Sequence, residues 1–153
     1  MDLEQHFTTG DVLDRLQEVF SGIDLSGRRV LEIGAGRGAI TELILERGAA
    51  HVTAFEIDPG LCALSHPRLT LREEDAMKAN LAFDWDCLIS VPPYQLLPFL
   101  ASIVGARDYL LMIPEKPSAF ELFPGAATEL IFDGAAFDPP SRGRHVVIQR
   151  GLR

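Results

Sequence analysis

Three glycines at alternate positions, Gly34, Gly36 and Gly38, close a short, mostly apolar run from Val30 to Ile33. Ile40, Leu43 and Ile44 follow at helical spacing. A strand, a tight turn and a helix start are therefore packed into about fifteen residues. Glycine reaches backbone conformations closed to other residues and lets a ligand approach bare peptide groups. The helix behind such a turn adds unpaired N–H donors at its first residues. This is the local form of a nucleotide-like cofactor site, and it commits the chain to an α/β fold whose identity must come from its surroundings.

The remaining pattern supplies alternating elements. Asp11 is positioned to cap a helix running to about Ser21, with Val12, Leu13, Leu16, Val19 and Phe20 on one face. Arg29 to Ile33 reads as the first strand and Ala39 to about Arg47 as a helix ended by Gly48. His51 to Ile57 is a second strand, closed by Asp58-Pro59-Gly60. A short helix is expected over Leu61 to Ser65, then strands over Leu69 to Arg72 and Trp85 to Val91. Tyr94 to Val104 is helical in spacing, with Pro98 requiring a late start or a kink. Tyr109 to Ile113 is a fifth strand, and residues 116–127 form a loop or a broken helix. Thr128 to Phe132 and His145 to Gln149 are strand-like around a turn at Asp138-Pro139-Pro140-Ser141. Such alternation implies right-handed crossovers and a mostly parallel, Rossmann-like sheet, with an antiparallel hairpin at its C-terminal end. No repeat or linker interrupts residues 1–153, which are expected to form a single domain.

Composition narrows the function classes. The formal net charge of −8 argues against broad nucleic-acid binding, which needs Lys and Arg against phosphate. Arg142, Arg144, Arg150 and Arg153 do follow the last acid, Asp138, so a basic C-terminal end either touches phosphate or is a solvated terminus. No apolar run approaches the roughly 20 residues of a membrane span. The acidic, polar first residues do not read as a signal peptide, and Cys62 and Cys87 read as buried reduced thiols. A cytoplasmic protein is expected. His6, His51, His66 and His145 form no metal-ligand spacing.

Ligands of such sheets bind beyond the carboxyl ends of the strands. The candidate cofactor residues there are Gly34, Ala35, Gly36 and Gly38, then Glu56 and Ile57, then Asp75 and Ala76. Residues 34–39 also satisfy the dinucleotide pattern G-x-G-x-x-G/A, and Glu56, 22 positions after Gly34, suits the ribose of either cofactor class. Glu32 tilts the choice. A carboxylate two residues before the glycines is awkward beside a pyrophosphate but suits a ligand carrying an amino group and a sulfonium. Asp75 can accept from an adenine amino group. The fourth strand ends in Ser90-Val91-Pro92-Pro93-Tyr94, which offers carbonyls and a ring to a flat acceptor. Taken singly, each acid also has an ordinary structural role as a salt-bridge, turn or solvated-loop residue.

In this order the motifs resemble those of the rRNA adenine N6-dimethyltransferases, a family of class I S-adenosylmethionine (SAM) methyltransferases. Glu4-Gln5-His6-Phe7 is similar to the family's N-terminal Gln-His-Phe, residues 30–41 to its first motif and residues 52–58 to its ribose-binding strand. Glu74-Asp75-Ala76 is similar to its adenine-binding loop. Phe137-Asp138-Pro139-Pro140, followed by residues 145–148, resembles its Phe-x-Pro-Pro turn and last strand. The resemblance implies a Rossmann-like class I methyltransferase fold and SAM as methyl donor. It implies Gln5 and His6 over the cofactor, and Ser90, Val91, Pro92, Pro93, Tyr94 and Phe137 around the acceptor, which would be an amine of adenine in rRNA. Two departures accompany it. Val91 stands where the family's catalytic motif has asparagine, and the sequence reads as a short form without the family's C-terminal helical domain. The alternatives are a protein or small-molecule acceptor, or a SAM-binding module without catalysis. A partner protein or a second copy could supply further RNA-binding surface.

Overall fold

The computed structural model describes residues 10–137 and 141–153. Helix α1 spans Gly10–Ser21, so Asp11 lies in its first turn rather than capping it as expected. It buries Val12, Leu16, Val19 and Phe20, each worth roughly 1.5–3 kcal/mol of apolar transfer. Strand β1 (Arg29–Ile33) leads through the glycine turn into α2 (Ala39–Glu46). Then come β2 (His51–Phe55), β3 (Leu69–Arg72), β4 (Cys87–Ser90), α3 (Leu97–Val104), β5 (Asp108–Pro114) and α4 (Pro117–Leu122). Strands β6 (Ala127–Asp133) and β7 (Arg144–Arg150) complete one sheet of order β3-β2-β1-β4-β5-β7-β6.

β1 to β5 are parallel, while β7 pairs antiparallel with both β5 and β6. The hairpin expected at the C-terminal end is present, but its second strand inserts beside β5 and leaves β6 at the edge. Burial explains the insertion. Residues 145–149 of β7 are all buried, whereas β6 is mostly exposed or half-buried. Two apolar clusters cover the faces. Val30 of β1 packs with α1 and α2, and Leu31 and Ile33 with α3 and α4. Side chains alternate along a strand, so Glu32 shares the α2 face with Val30.

One local expectation is corrected and two left open are resolved. Residues 61–65 form no helix; they cross to β3 as irregular chain. Five residues are too few to nucleate one, and Pro67 disfavours helical geometry at His66. Residues 117–122 do form a short helix, begun by Pro117. Pro98 neither kinks nor breaks α3: a single 3-10 turn, Tyr94–Leu96, precedes the helix, and the proline sits in its first turn, where its missing N–H costs nothing.

The β6–β7 connection begins with a 3-10 turn, Gly134–Ala136, capped by Asp133, whose carboxylate accepts from the Ala135 N–H at 3.0 Å. A Cβ on Gly134 would lie 2.1 Å from the Ser141 carbonyl oxygen and 2.6 Å from that of Gly143. Backbone on both sides cannot yield as a flexible side chain would. Gly134→Ala is therefore expected to cost about 3 kcal/mol, the upper end of overpacking penalties, read as a fall in the denaturation midpoint.

Candidate cofactor and acceptor site

The glycine loop holds itself together before any ligand is considered. Gly34, Gly36 and Gly38 have φ of 81°, 56° and 95°. The N–H groups of Gly34 and Ala35 both donate to the Phe55 carbonyl, at 2.8 and 2.9 Å, and Gly38 donates to Ala35. Gly36 donates to Glu56 Oε1 at 2.8 Å, while Asp58 donates to Glu56 Oε2 at 2.9 Å. Buried Glu56 thus ties the loop after β1 to the loop after β2, and each carboxylate oxygen keeps acceptor capacity for a ligand hydroxyl. At Gly38 a Cβ would meet Leu64 Cδ1 at 2.4 Å, so the irregular crossover after β2 packs directly on this glycine.

Glu32 lies beneath this loop at 1% exposure. Thr41 of α2 donates its hydroxyl to Glu32 Oε1 at 2.5 Å. Burial pushes the Glu32 carboxyl up to about 8, against the Thr41 hydrogen bond and with help from the neighbouring Glu56 charge. The acid is therefore mostly protonated at neutral pH.

A cavity of about 320 Å³ opens at the carboxyl ends of β1, β2 and β3, within the usual range of small-molecule sites. Of the candidate cofactor residues, Gly34, Glu56, Ile57, Asp75 and Ala76 line it. Glu32, Ala35, Gly36 and Gly38 lie outside its lining, in or under the loop that shapes it. Asp75 Oδ1 accepts from the Met77 N–H at 2.9 Å and leaves its other oxygen available. Ile57 and Met77 are 61% and 54% exposed, large apolar side chains at the rim of the same cavity. Sequence reasoning missed Met77, although an apolar residue within the charged stretch Arg72–Lys78 was a usable signal. Among the described residues the lining carries Glu56, Glu74 and Asp75 and no Lys or Arg.

Pro93 alone of the acceptor candidates borders this cavity, beside Gln95 and Leu96. The Ser90 hydroxyl donates to the Ile33 carbonyl at 2.6 Å, so it is spent on holding β4 against β1. Val91 is 5% exposed and packs in the apolar cluster on the α2 face. Pro92 is buried and Pro93 half-buried. Half-buried Tyr94 bonds through its hydroxyl to His145 Nδ1, and Ser141 Oγ bonds to His145 Nε2. Phe137 is 2% exposed, with its ring edge-on to His145 at 4.7 Å and to Phe132 at 5.9 Å. It is core, not the far wall of an acceptor slot.

Gln5 and His6, and Asp138, Pro139 and Pro140 of the turn, lie outside the described residues. Most of the C-terminal basic end is engaged within the protein. Arg144 pairs with Glu115 at 2.7 Å and Arg153 with Glu129 at 2.9 Å, while Arg150 donates to the carbonyls of Gly105 and Arg107. No helix among the described residues is long and apolar enough to cross a membrane.

The family model described as ribosomal RNA adenine dimethylase matches residues 3–116. The chain belongs to the ribosomal RNA adenine dimethylase family. Within it, the chain is similar to the probable ribosomal RNA small subunit methyltransferase A of Haloarcula marismortui, at 41% identity over 125 residues. That alignment takes in 74% of this chain and 43% of that protein. The ribosomal RNA small subunit methyltransferase A of Synechococcus sp. (strain CC9311) is 35% identical over 116 residues, 68% of this chain and 41% of that protein. The chain thus spans less than half the length of these curated relatives. The fold is shared with the 23S rRNA methyltransferase ErmE at a TM-score of 0.71 and 15% identity, over 97% of this chain and 70% of that one. The family match stops at Lys116, so α4, β6 and β7, with Ser141 and His145, lie beyond it.

Proposed function

We propose that residues 1–153 form a single SAM-dependent methyltransferase domain whose acceptor is the exocyclic amine of adenine in rRNA. The observation that carries the cofactor reading is the cavity at the glycine loop, lined among the described residues by Glu56, Glu74 and Asp75 and by no Lys or Arg. A dinucleotide pyrophosphate would face these carboxylates, and the N–H groups of Gly34, Ala35, Gly36 and Gly38 are already engaged inside the loop. A cationic ligand with ribose hydroxyls is matched by the same carboxylates. Glu56 is assigned the ribose hydroxyls, Asp75 the adenine amino group, and Ile57 with Met77 the faces of the adenine ring.

Bound SAM would supply an electrophilic methyl group on a sulfonium. A neutral amine already carries its lone pair, so the chain's own task is to orient it and exclude water. The carbonyls of Val91 and Pro92 are assigned the amine hydrogens, since valine has no polar side-chain atom to offer. Tyr94 is assigned the face of the acceptor ring. Membership of the family supports rRNA as acceptor. The engaged arginines and the charge of −8 support a reading in which a partner protein or a second copy supplies additional phosphate contacts. A cytoplasmic location follows from that substrate.

A second reading rests on Val91 alone: a domain that binds SAM and transfers nothing. Both are tested by titrating the protein with SAM and with NADH, then supplying labelled SAM with small ribosomal subunits, a protein extract or a metabolite extract. SAM binding without NADH binding, with label entering RNA, is the expected result. Label entering protein or metabolites instead would overturn the acceptor. Binding without transfer to any of the three would establish the second reading.

A further inference from the structure

We propose that His145 is a positioning residue that locks the ring of Tyr94 through a Ser141–His145–Tyr94 hydrogen-bonded chain; the inference rests on the methyltransferase reading of Tyr94. Topology brings the three together. β7 runs antiparallel to β5, so its first residues lie at the edge where the parallel strands end. His145 pairs with Pro114 of β5 and Phe132 of β6. Tyr94, on the turn after β4, reaches past the end of β5 to meet it.

The chain has a defined direction. Burial pushes the Tyr94 phenol well above its ordinary range, so it keeps its proton and donates. With the phenol as donor, His145 Nδ1 accepts and the ring proton sits on Nε2, donating to Ser141 Oγ; this is the direction the proposal assigns. Burial also holds the His145 imidazole below its usual range, in keeping with a neutral ring. At 3% exposure neither nitrogen can turn to water, so the tautomer is set by its two partners. Phe137, edge-on at 4.7 Å, clamps the imidazole from another side.

The consequence is mechanical. Pro93 fixes its own backbone but leaves the side-chain torsions of Tyr94 free. A flat acceptor stacked on that ring needs the ring held in one place, and the bond to His145 fixes the phenol oxygen and with it the axis of the ring. The phenol oxygen is spent in the process, so Tyr94 offers the acceptor its π face. Ser141 and His145 lie beyond the residues 3–116 matched by the family model.

The test has two arms. In the first, NMR of labelled protein at pH 7 is expected to show His145 with its proton on Nε2, and Tyr94 in a single χ1 rotamer, read from three-bond couplings, that averages among rotamers in His145→Leu. A proton on Nδ1, or equal rotamer averaging in both proteins, would overturn the proposal. In the second, methyl transfer to small ribosomal subunits is expected to fall in kcat by about tenfold in Tyr94→Phe and in His145→Leu, with no further fall in the double variant. SAM affinity stays within about twofold, and His145→Gln, whose carbonyl can still accept, recovers most of the rate. Independent, multiplying losses would show that His145 does not act through Tyr94. If the wild-type chain methylates no RNA, the functional reading falls and the NMR arm alone judges the positioning. If His145→Leu does not fold, the wild-type tautomer and Tyr94→Phe still judge it.

Discussion

Replacing Glu56 with alanine is expected to weaken SAM binding by at least about 100-fold and to destabilise the empty protein as well. The first effect follows from losing two hydrogen bonds from ribose hydroxyls to a carboxylate, at roughly 1.5–3 kcal/mol each. The second is independent of any ligand. Gly36 is buried, and its N–H would lose its only acceptor in the described structure. An orphaned buried donor costs roughly 1–3 kcal/mol. Asp58 also loses its bond, but is exposed and can turn to water. Calorimetric titration with SAM and a denaturation curve on the same sample separate the two effects. Glu56→Gln is the informative companion. Its amide oxygen can still serve Gly36, so stability should largely recover while ribose binding stays weak. Recovery of both would mean that the negative charge of Glu56 is needed neither for the loop nor for the ribose.

The frame of the fold was legible because its signals are local. Val30–Gly38 announces a strand, a turn and a helix, and alternating apolar runs fix a parallel sheet. The insertion of β7 between β5 and β6 was not legible, because both strands look alike in hydropathy and only pairing decides which is buried. The cofactor side followed from offsets along the chain: Gly34, Glu56, Ile57, Asp75 and Ala76 all reach one cavity. The acceptor side was harder. Its geometry depends on contacts across 51 positions from Tyr94 to His145, which no periodicity reports. His145 read as an ordinary strand residue and Phe137 as a wall of the acceptor slot, whereas packing sets the buried Phe137 ring edge-on against His145. Thr41, the partner of Glu32, was hidden for the same reason: one helical turn of α2 folds back over the strand that precedes it.

The buried acid under the loop yields the largest pH effect. Glu32 has its carboxyl pushed up to about 8 in the folded chain, from 4.5, first by burial. Between those two values the folded state binds more protons than the unfolded state. Stability therefore falls as pH rises through that window, by up to about 1.4 kcal/mol per pH unit from this group, and the trend levels off on either side. Glu32→Gln removes the titration while keeping an oxygen for the Thr41 hydroxyl. The variant should match the wild type within about 1 kcal/mol near pH 4.5 and exceed it by several kcal/mol above pH 8. Parallel pH profiles would show that Glu32 is ionised in the fold throughout. The same group couples stability to ligand binding. Glu56 already acts on Glu32 through its charge, so a cationic cofactor on the far side of Glu56 opposes that effect and favours the ionised form. SAM binding at pH 7 should release up to about one proton, read by calorimetry in buffers of different ionisation enthalpy, and Glu32→Gln should release none. A proton count unchanged by the substitution would confine Glu32 to its contact with α2.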